Sequence, residues 1–344
     1  MRTKRLDLGR ALITVPKIHK IPQIERPWSV YIPYFDKTIN LEAEDKDKHF
    51  TIAEVKKLTQ EEFLELVRTR LAGSQRFKDH ALVFVHGYNT SFDNALFRAA
   101  QISYDIKFDG ATFLYSWPSG GGVGSYTYDR ESAEGSKPYL KKFLQLIVDE
   151  TGAQSVSIIA HSMGNIPLLG VLQELKSSPV RVDQIVLAAP DVDYDSFSDI
   201  AAAINGMAKG VTLYAASNDR ALIASRNFWQ RPRAGDVPPT GPVIAAGIDT
   251  IDVTGISTDV FSLNHSGYAQ SDILVEDIAK LVLTGDRPPE SRQQLFIPTP
   301  MAKGRSGATR NNSPCRGASA PFLDRNAVWR LRVCRTHCLQ PAKV

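Results

Sequence analysis

Between Ala81 and Val253 the chain repeats one pattern: a short apolar, mostly β-branched run, then a stretch with apolar residues at helical spacing. The runs are Ala81–Val85 (ALVFV), Ala111–Trp117 (ATFLYSW), Val156–Ala160, Gln184–Ala189, Val211–Ala215 and Ile248–Val253. A strand that is apolar throughout has no side to turn to water, so it belongs inside a sheet covered on both faces. Helical patterns fall between the runs. One covers Asn94–Ile106, and a second places Leu140, Phe143, Leu144, Ile147 and Val148 on one face ahead of Gly152. A third follows Ala160 to about Lys176, and Asp272–Thr284 closes the series at Gly285. Strands alternating with helices predict an α/β architecture with a mostly parallel central sheet and helices on both faces.

Ahead of this core, Ala11–Val15, Ser29–Tyr34 and Phe50–Val55 have the β-rich character of antiparallel edge strands. The sequence therefore divides into a domain over 1–287, with its parallel core at about 81–285, and a tail over 288–344. The tail opens on Pro288-Pro289 and mixes Arg, Ser, Gly, Asn and Pro without a sustained apolar period. Such composition buries too little surface to offset chain entropy, so disorder is the expectation. Only the alternation Ala327, Trp329, Leu331, Val333 suggests a short strand there.

Charge follows the same division. The net charge is +4, yet Arg287–Val344 holds eleven Lys or Arg against Glu290 and Asp324, which leaves the body slightly acidic. Nucleic acid is therefore not an expected partner of the body; a basic tail could meet an acidic surface. All three cysteines, Cys315, Cys334 and Cys338, lie in the tail, so packing alone must hold the core. The basic start MRTKRLDLGRALITVPKIHK lacks the apolar run of a secretory signal, and no stretch approaches a membrane span. As written the chain reads as cytoplasmic, and a longer native N-terminus with a signal would move that reading to the envelope.

Chemistry concentrates at Ser157-Ile158-Ile159-Ala160-His161-Ser162-Met163-Gly164-Asn165. A strand running through a sharp turn at Ser162 into a helix would lift the hydroxyl above the carboxyl edge of the sheet. The strand and helix approach so closely that residues two before and two after the serine must be small, as Ala160 and Gly164 are. Pro167 constrains the helix. It either starts a residue or two after Met163 or bends in its first turn.

A serine hydroxyl needs a base to take its proton, and the base needs a carboxylate to fix its tautomer. Beyond Ser162 the histidines are His265 and His337, and His337 lies in the tail. His265, between the last strand and the closing helix, is the expected base. Two acidic positions compete. Asp219 follows the run Val211–Ala215, and Asp191 and Asp193 follow the run before it. Asp219 is preferred, because the acid ordinarily sits one strand ahead of the histidine in this chain order. The backbone N–H of Met163 and that of Tyr88, after Gly87, are the expected oxyanion donors. His86, directly before that glycine, reads as a buried hydrogen-bonding residue and not as a base.

Phe84-Val85-His86-Gly87-Tyr88-Asn89-Thr90-Ser91-Phe92, Tyr115-Ser116-Trp117-Pro118-Ser119, the serine turn, and Leu187-Ala188-Ala189-Pro190-Asp191-Val192-Asp193 occur in this order. Together they resemble the bacterial alpha/beta-hydrolase family labelled domain of unknown function 900. The resemblance spans roughly Arg10 to Arg287. It implies a hydrolase fold and a serine triad, whose positions Ser162, Asp219 and His265 would take. It implies no substrate. Some relatives carry lipoprotein-type signals, which this chain does not show.

Other signals carry less. Ser119-Gly120-Gly121-Gly122-Val123-Gly124-Ser125 lacks the lysine of a phosphate loop and reads as a mobile rim loop. Cys315, Cys334, His337 and Cys338 lack the spacing of a common zinc finger. No cofactor and no metal are expected. The expected function is a serine hydrolase that cleaves a carboxylic ester or thioester of a small-molecule or lipid-like acyl substrate through an acyl-enzyme. Its specificity would lie in rim loops near 118–130 and 225–247. The rival readings are a catalytically silent binding protein on the same fold, and a protein acting through its basic tail. Oligomeric state is not legible.

Overall fold

The computed structural model describes residues 5–32, 37–175, 182–255, 271–300 and 327–331. Two short antiparallel pairs lie at the N-terminus. β1 (Leu8–Thr14) pairs with β4 (Thr51–Leu58), and β2 (Ser29–Ile32) with β3 (Lys37–Asn40). Strands therefore form near all three expected N-terminal segments; β1 and β4 pair with each other, β2 pairs with the unexpected β3, and none extends the main sheet. The physical reason is visible in β1 and β4. Their half-buried alternation, with Lys56 and Lys57 exposed, suits a ribbon with one wet face. β1 packs on α1 (Gln60–Ala72) and α2 (Phe92–Asp105).

The expected parallel strands all appear: β5 (His80–Val85), β6 (Ala111–Tyr115), β7 (Ser155–His161), β8 (Val182–Ala188), β9 (Ala208–Ala215) and β10 (Ile248–Asp252). Between them run α3 (Tyr126–Glu150), α4 (Asn165–Leu175), α5 (Tyr194–Ile204) and α6 (Arg220–Trp229), and α7 (Ser271–Thr284) follows β10. The sheet has eight strands once β11 (Phe296–Pro300) and β12 (Ala327–Leu331) are added, in the order β11-β12-β10-β9-β8-β7-β5-β6.

Period-two alternation divides the core between the two faces of this sheet. Ala81, Val83, Val85, Ile158, Ala160, Ile185, Leu187, Val211 and Leu213 face the layer holding α1, α3, α4 and α5. Leu82, Phe84, Ile159, Val186, Ala188 and Tyr214 face α2 and α7. Both faces are dry, which is why these strands carry no polar stripe.

The C-terminal boundary differs from the sequence reading. β12 runs parallel to β10 and β11 antiparallel to β12, so two pieces of the expected tail complete the sheet. Phe296, Val328 and Trp329 are buried, and Arg330 pairs with Asp252 at 3.3 Å. Composition averaged over the tail hides five residues able to cover the open edge of β10. Pro298 and Pro300 sit on the outermost strand, where a missing N–H costs no ladder bond. Among the described residues no helix is long and apolar enough to cross a membrane.

Candidate active site

β7 ends at His161, a 3-10 turn covers Ser162–Gly164, and α4 begins at Asn165. This resolves the problem of Pro167. The later helix start puts it in the first turn, where an N–H has no helical partner to lose. Ser162 has φ of 50°, in the left-handed region that a non-glycine residue enters only at a cost of about 1–3 kcal/mol. The turn is held by its surroundings. Asn165 Nδ2 donates to the carbonyls of Ser162 at 2.9 Å and Ala160 at 3.2 Å, and the N–H of Asp191 donates to the Ser162 carbonyl at 3.2 Å.

Small residues are required where the sequence placed them. A Cβ on Gly164 would stand 2.3 Å from the His86 carbonyl oxygen, and one on Gly87 would stand 3.0 Å from Ser162 Cβ. The loop after β5 therefore passes directly beside the serine. Tyr88 and Met163, the expected oxyanion donors, lie on these two closely packed loops. Met163 is fully buried and Tyr88 is partly exposed.

Neither histidine beside this turn is poised to act as a base. His86 is stacked on Trp117 with ring centroids 4.7 Å apart, and its Nε2 accepts from the Trp117 N–H at 3.1 Å. Its Nδ1 lies 2.9 Å from the Gly87 carbonyl, the bond the proton on that nitrogen would make. Burial pushes its pKa down to about 4, which keeps the ring neutral. His161 is pushed down to about 3 by burial, with Arg98 and His86 adding to the effect. A Cβ on Gly87 would lie only 2.8 Å from His161 Nδ1, so that ring walls the loop.

The competing acids have different surroundings. Asp191 is buried and ion-paired to Arg233 at 2.8 Å, with both side chains 3% exposed. Ser225 Oγ donates to the same oxygen at 2.6 Å, and the Tyr126 hydroxyl to the other at 2.8 Å. Asp193 caps α5 by accepting from the Ser196 N–H at 3.0 Å, and that bond lowers its pKa. Asp219 caps α6, accepting from the Leu222 N–H at 3.0 Å. Its loop is tied to the end of β10. The Ser217 N–H donates to Thr254 Oγ1 at 3.0 Å, and Asn218 Nδ2 to the Thr254 carbonyl at 3.2 Å. His265 falls outside the described residues, as do Cys315, Cys334, His337 and Cys338. No metal-binding group of His, Cys, Asp or Glu occurs among the described residues.

The rim expected as loops near 118–130 and 225–247 is partly helical. Residues 126–130 open α3, and α6 reaches Trp229. The glycine-rich stretch is fastened at its start. Buried Asp129 accepts from Ser119 Oγ at 2.7 Å, the Gly120 N–H at 2.6 Å and the Asn89 N–H at 3.1 Å. Sequence reasoning missed Asn165, Asp129 and Tyr126 as parts of the site's frame. Asn165 stood inside the serine motif, whereas nothing local marks Asp129 or Tyr126.

A mostly parallel sheet with helices on both faces, and a strained serine in the turn between β7 and α4, define the alpha/beta-hydrolase fold. The chain belongs to the alpha/beta hydrolase family of unknown function called DUF900, whose model matches residues 59–287. No curated protein matches the chain. Two solved structures resemble it more distantly. One is from Agrobacterium vitis S4 and carries the provisional description of hydrolase, with 14% identity, 60% of this chain and 90% of that chain covered, and a TM-score of 0.33. The other is a lipase-esterase related protein from Clostridium acetobutylicum ATCC 824, with 15% identity, 61% and 69% covered, and a TM-score of 0.24.

Proposed function

We propose that this protein is a serine hydrolase that cleaves carboxylic esters or thioesters through an acyl-enzyme. The observation that carries the reading is the strained backbone of Ser162, φ 50°, wedged between the loop after β5 and the start of α4. Strain of this kind persists only where the surroundings enforce it, and here they present a hydroxyl at the carboxyl edge of the sheet.

Ser162 Oγ attacks the carbonyl carbon while His265 takes its proton, and Asp219 steadies the imidazolium. The amides of Tyr88 and Met163 receive the oxyanion. His265 then returns the proton to the leaving alcohol or thiol, and water, deprotonated by the same histidine, releases the acyl group. Asp219 is favoured as the acid because its loop is fastened to Thr254, ahead of the segment that carries His265. Asp191 is already committed to Arg233, Ser225 and Tyr126.

The test is a fluorophosphonate probe applied to the purified protein, with the adduct located by mass spectrometry. Labelling at Ser162 that is lost in His265→Ala is the expected outcome. No labelling of folded protein would overturn the reading in favour of a silent binding protein on the same fold.

A further inference from the structure

An aromatic ladder leads outward from the serine. Tyr88 follows Gly87, whose Cβ position is 3.0 Å from Ser162 Cβ, and its ring meets that of Tyr126 edge-on at 5.3 Å. Tyr126 stands 5.5 Å from Phe228, and Phe228 meets Trp229 edge-to-face at 5.0 Å. The outer members face solvent, Phe228 being 60% exposed and Trp229 39%. A single exposed aromatic needs no explanation, but a connected row that starts beside a nucleophile does.

The rings themselves offer only apolar faces and edges, with the Arg130 guanidinium over that of Trp229. The Tyr88 hydroxyl points at the Gly122 carbonyl at 3.5 Å, and the Tyr126 hydroxyl donates to Asp191. Trp229 Nε1 donates to the Tyr126 oxygen at 2.9 Å. Each polar atom of these rings is thus engaged within the protein, leaving ring faces and edges. A sugar or a peptide would find few partners there to replace its water, whereas an alkyl group gains by leaving water. The rings are also held in place. Tyr126 is fixed by Asp191 and Ser225, and the Arg130 guanidinium lies 5.0 Å over the Trp229 ring. A surface ordered in advance loses little freedom when it binds. The group starts on the loop beside the serine and ends in a cluster of Tyr126, Phe228 and Trp229 at the surface, which suits a chain held at the nucleophile and leading outward.

Resting on the reading of Ser162 as nucleophile, we propose that Tyr88, Tyr126, Phe228 and Trp229 form the subsite for an unbranched apolar acyl chain. Phe228 is its specificity-determining residue. The substrate class is then an ester or thioester of a medium- or long-chain fatty acid.

The experiment measures kcat and KM on 4-nitrophenyl acetate, butyrate and octanoate for the wild type, Phe228→Ala, Phe228→Leu and Trp229→Ala. Trp28→Ala, an exposed residue on the N-terminal segment, serves as control. All are probed with fluorophosphonate in parallel. The wild type is expected to prefer octanoate over acetate by about tenfold or more in kcat/KM. Phe228→Ala should cut that preference by about fivefold, chiefly through KM, because the contact is made equally in ground and transition states. Phe228→Leu, which keeps apolar area and guards against a misfolded alanine variant, should restore most of it, and Trp28→Ala should leave it unchanged. Labelled Ser162 with a chain-length preference absent, or the same in the Phe228 and Trp229 variants as in the wild type, overturns the subsite and leaves the nucleophile standing. Absence of labelling overturns the nucleophile, and the subsite with it.

Discussion

Two neighbouring strands, β8 and β9, each lead into a loop that carries an aspartate at the carboxyl edge of the sheet, and the two aspartates have different surroundings. Asp191, after β8, is sealed from water with a guanidinium and two hydroxyls on its carboxylate, and its backbone N–H donates to the Ser162 carbonyl. Asp219, after β9, is partly exposed, caps a helix with one oxygen and lies in a loop fastened to the end of β10. A buried carboxylate with a full set of partners is a brace, because moving it would leave Arg233 uncompensated. A partly exposed carboxylate at a loop tip carries no such structural load, which is why the proposed triad uses this one. The same residue type at the same edge of a sheet is thus a brace in one loop, and in the other it is the carboxylate that the proposed mechanism would use.

The two aspartates should respond oppositely to Asp219→Asn and Asp191→Asn. Asparagine caps a helix about as well as aspartate, so Asp219→Asn should unfold within about 0.5 kcal/mol of the wild type. Its kcat on a 4-nitrophenyl ester should fall about 10⁴-fold, the loss expected when the carboxylate that fixes the imidazole tautomer is removed. A small change in kcat would transfer the catalytic role away from this loop.

Asp191→Asn should show the opposite balance. It leaves the buried Arg233 without its counter-charge, and urea unfolding should report a loss of about 3–5 kcal/mol. Any loss of activity should follow from a loosened elbow and recover at lower temperature. A variant as stable as the wild type would show that Arg233 finds another partner and that Asp191 is no brace.

A third carboxylate site, in the N-terminal segment, should have a smaller effect. His19 lies between Asp105 on α2, at 2.7 Å, and Glu25, at 2.9 Å. Burial opposes its charge, but the hydrogen bonds to Asp105 and Glu25 outweigh burial and raise its pKa from 6.5 to about 9. His19 therefore holds its proton more tightly folded than unfolded. The stabilisation is fully present below about pH 6.5 and is lost as pH rises toward about 9. Unfolding free energies at pH 6 and pH 9 should differ by about 1–3 kcal/mol more in the wild type than in His19→Gln. Equal differences would show that this cluster does not hold the N-terminal segment on α2.

The parts of this molecule legible in the sequence are those in which one physical requirement acts on consecutive residues. The doubly buried strands β5, β7, β8 and β9 are mostly apolar through their centres, and each is legible within about three residues of its observed ends. α1 was missed although its signal was present. Thr59 and Glu62 form a reciprocal capping box, with bonds of 3.2 Å and 2.8 Å, in the run Thr-Gln-Glu-Glu. β11 left no signal and β12 only a faint alternation, for another reason. Their few buried residues sit in a basic, proline-containing stretch, and only the vacant edge of β10 gives them something to bury against.

The sequence by itself determined the alternating architecture, the serine at a strand-to-helix turn and the small residues around it. Each of these is set by sterics between residues close in the chain or by the solvent a strand must avoid. Only the tertiary structure decided that Asp191 is a brace, that Asp129 fastens the glycine-rich loop, and that Tyr88, Tyr126, Phe228 and Trp229 share one surface. Those assignments join residues up to 103 positions apart, as the bond from Trp229 to Tyr126 does. Side-chain type says what a residue can bond to, and only the packing of distant segments says which of those bonds is made.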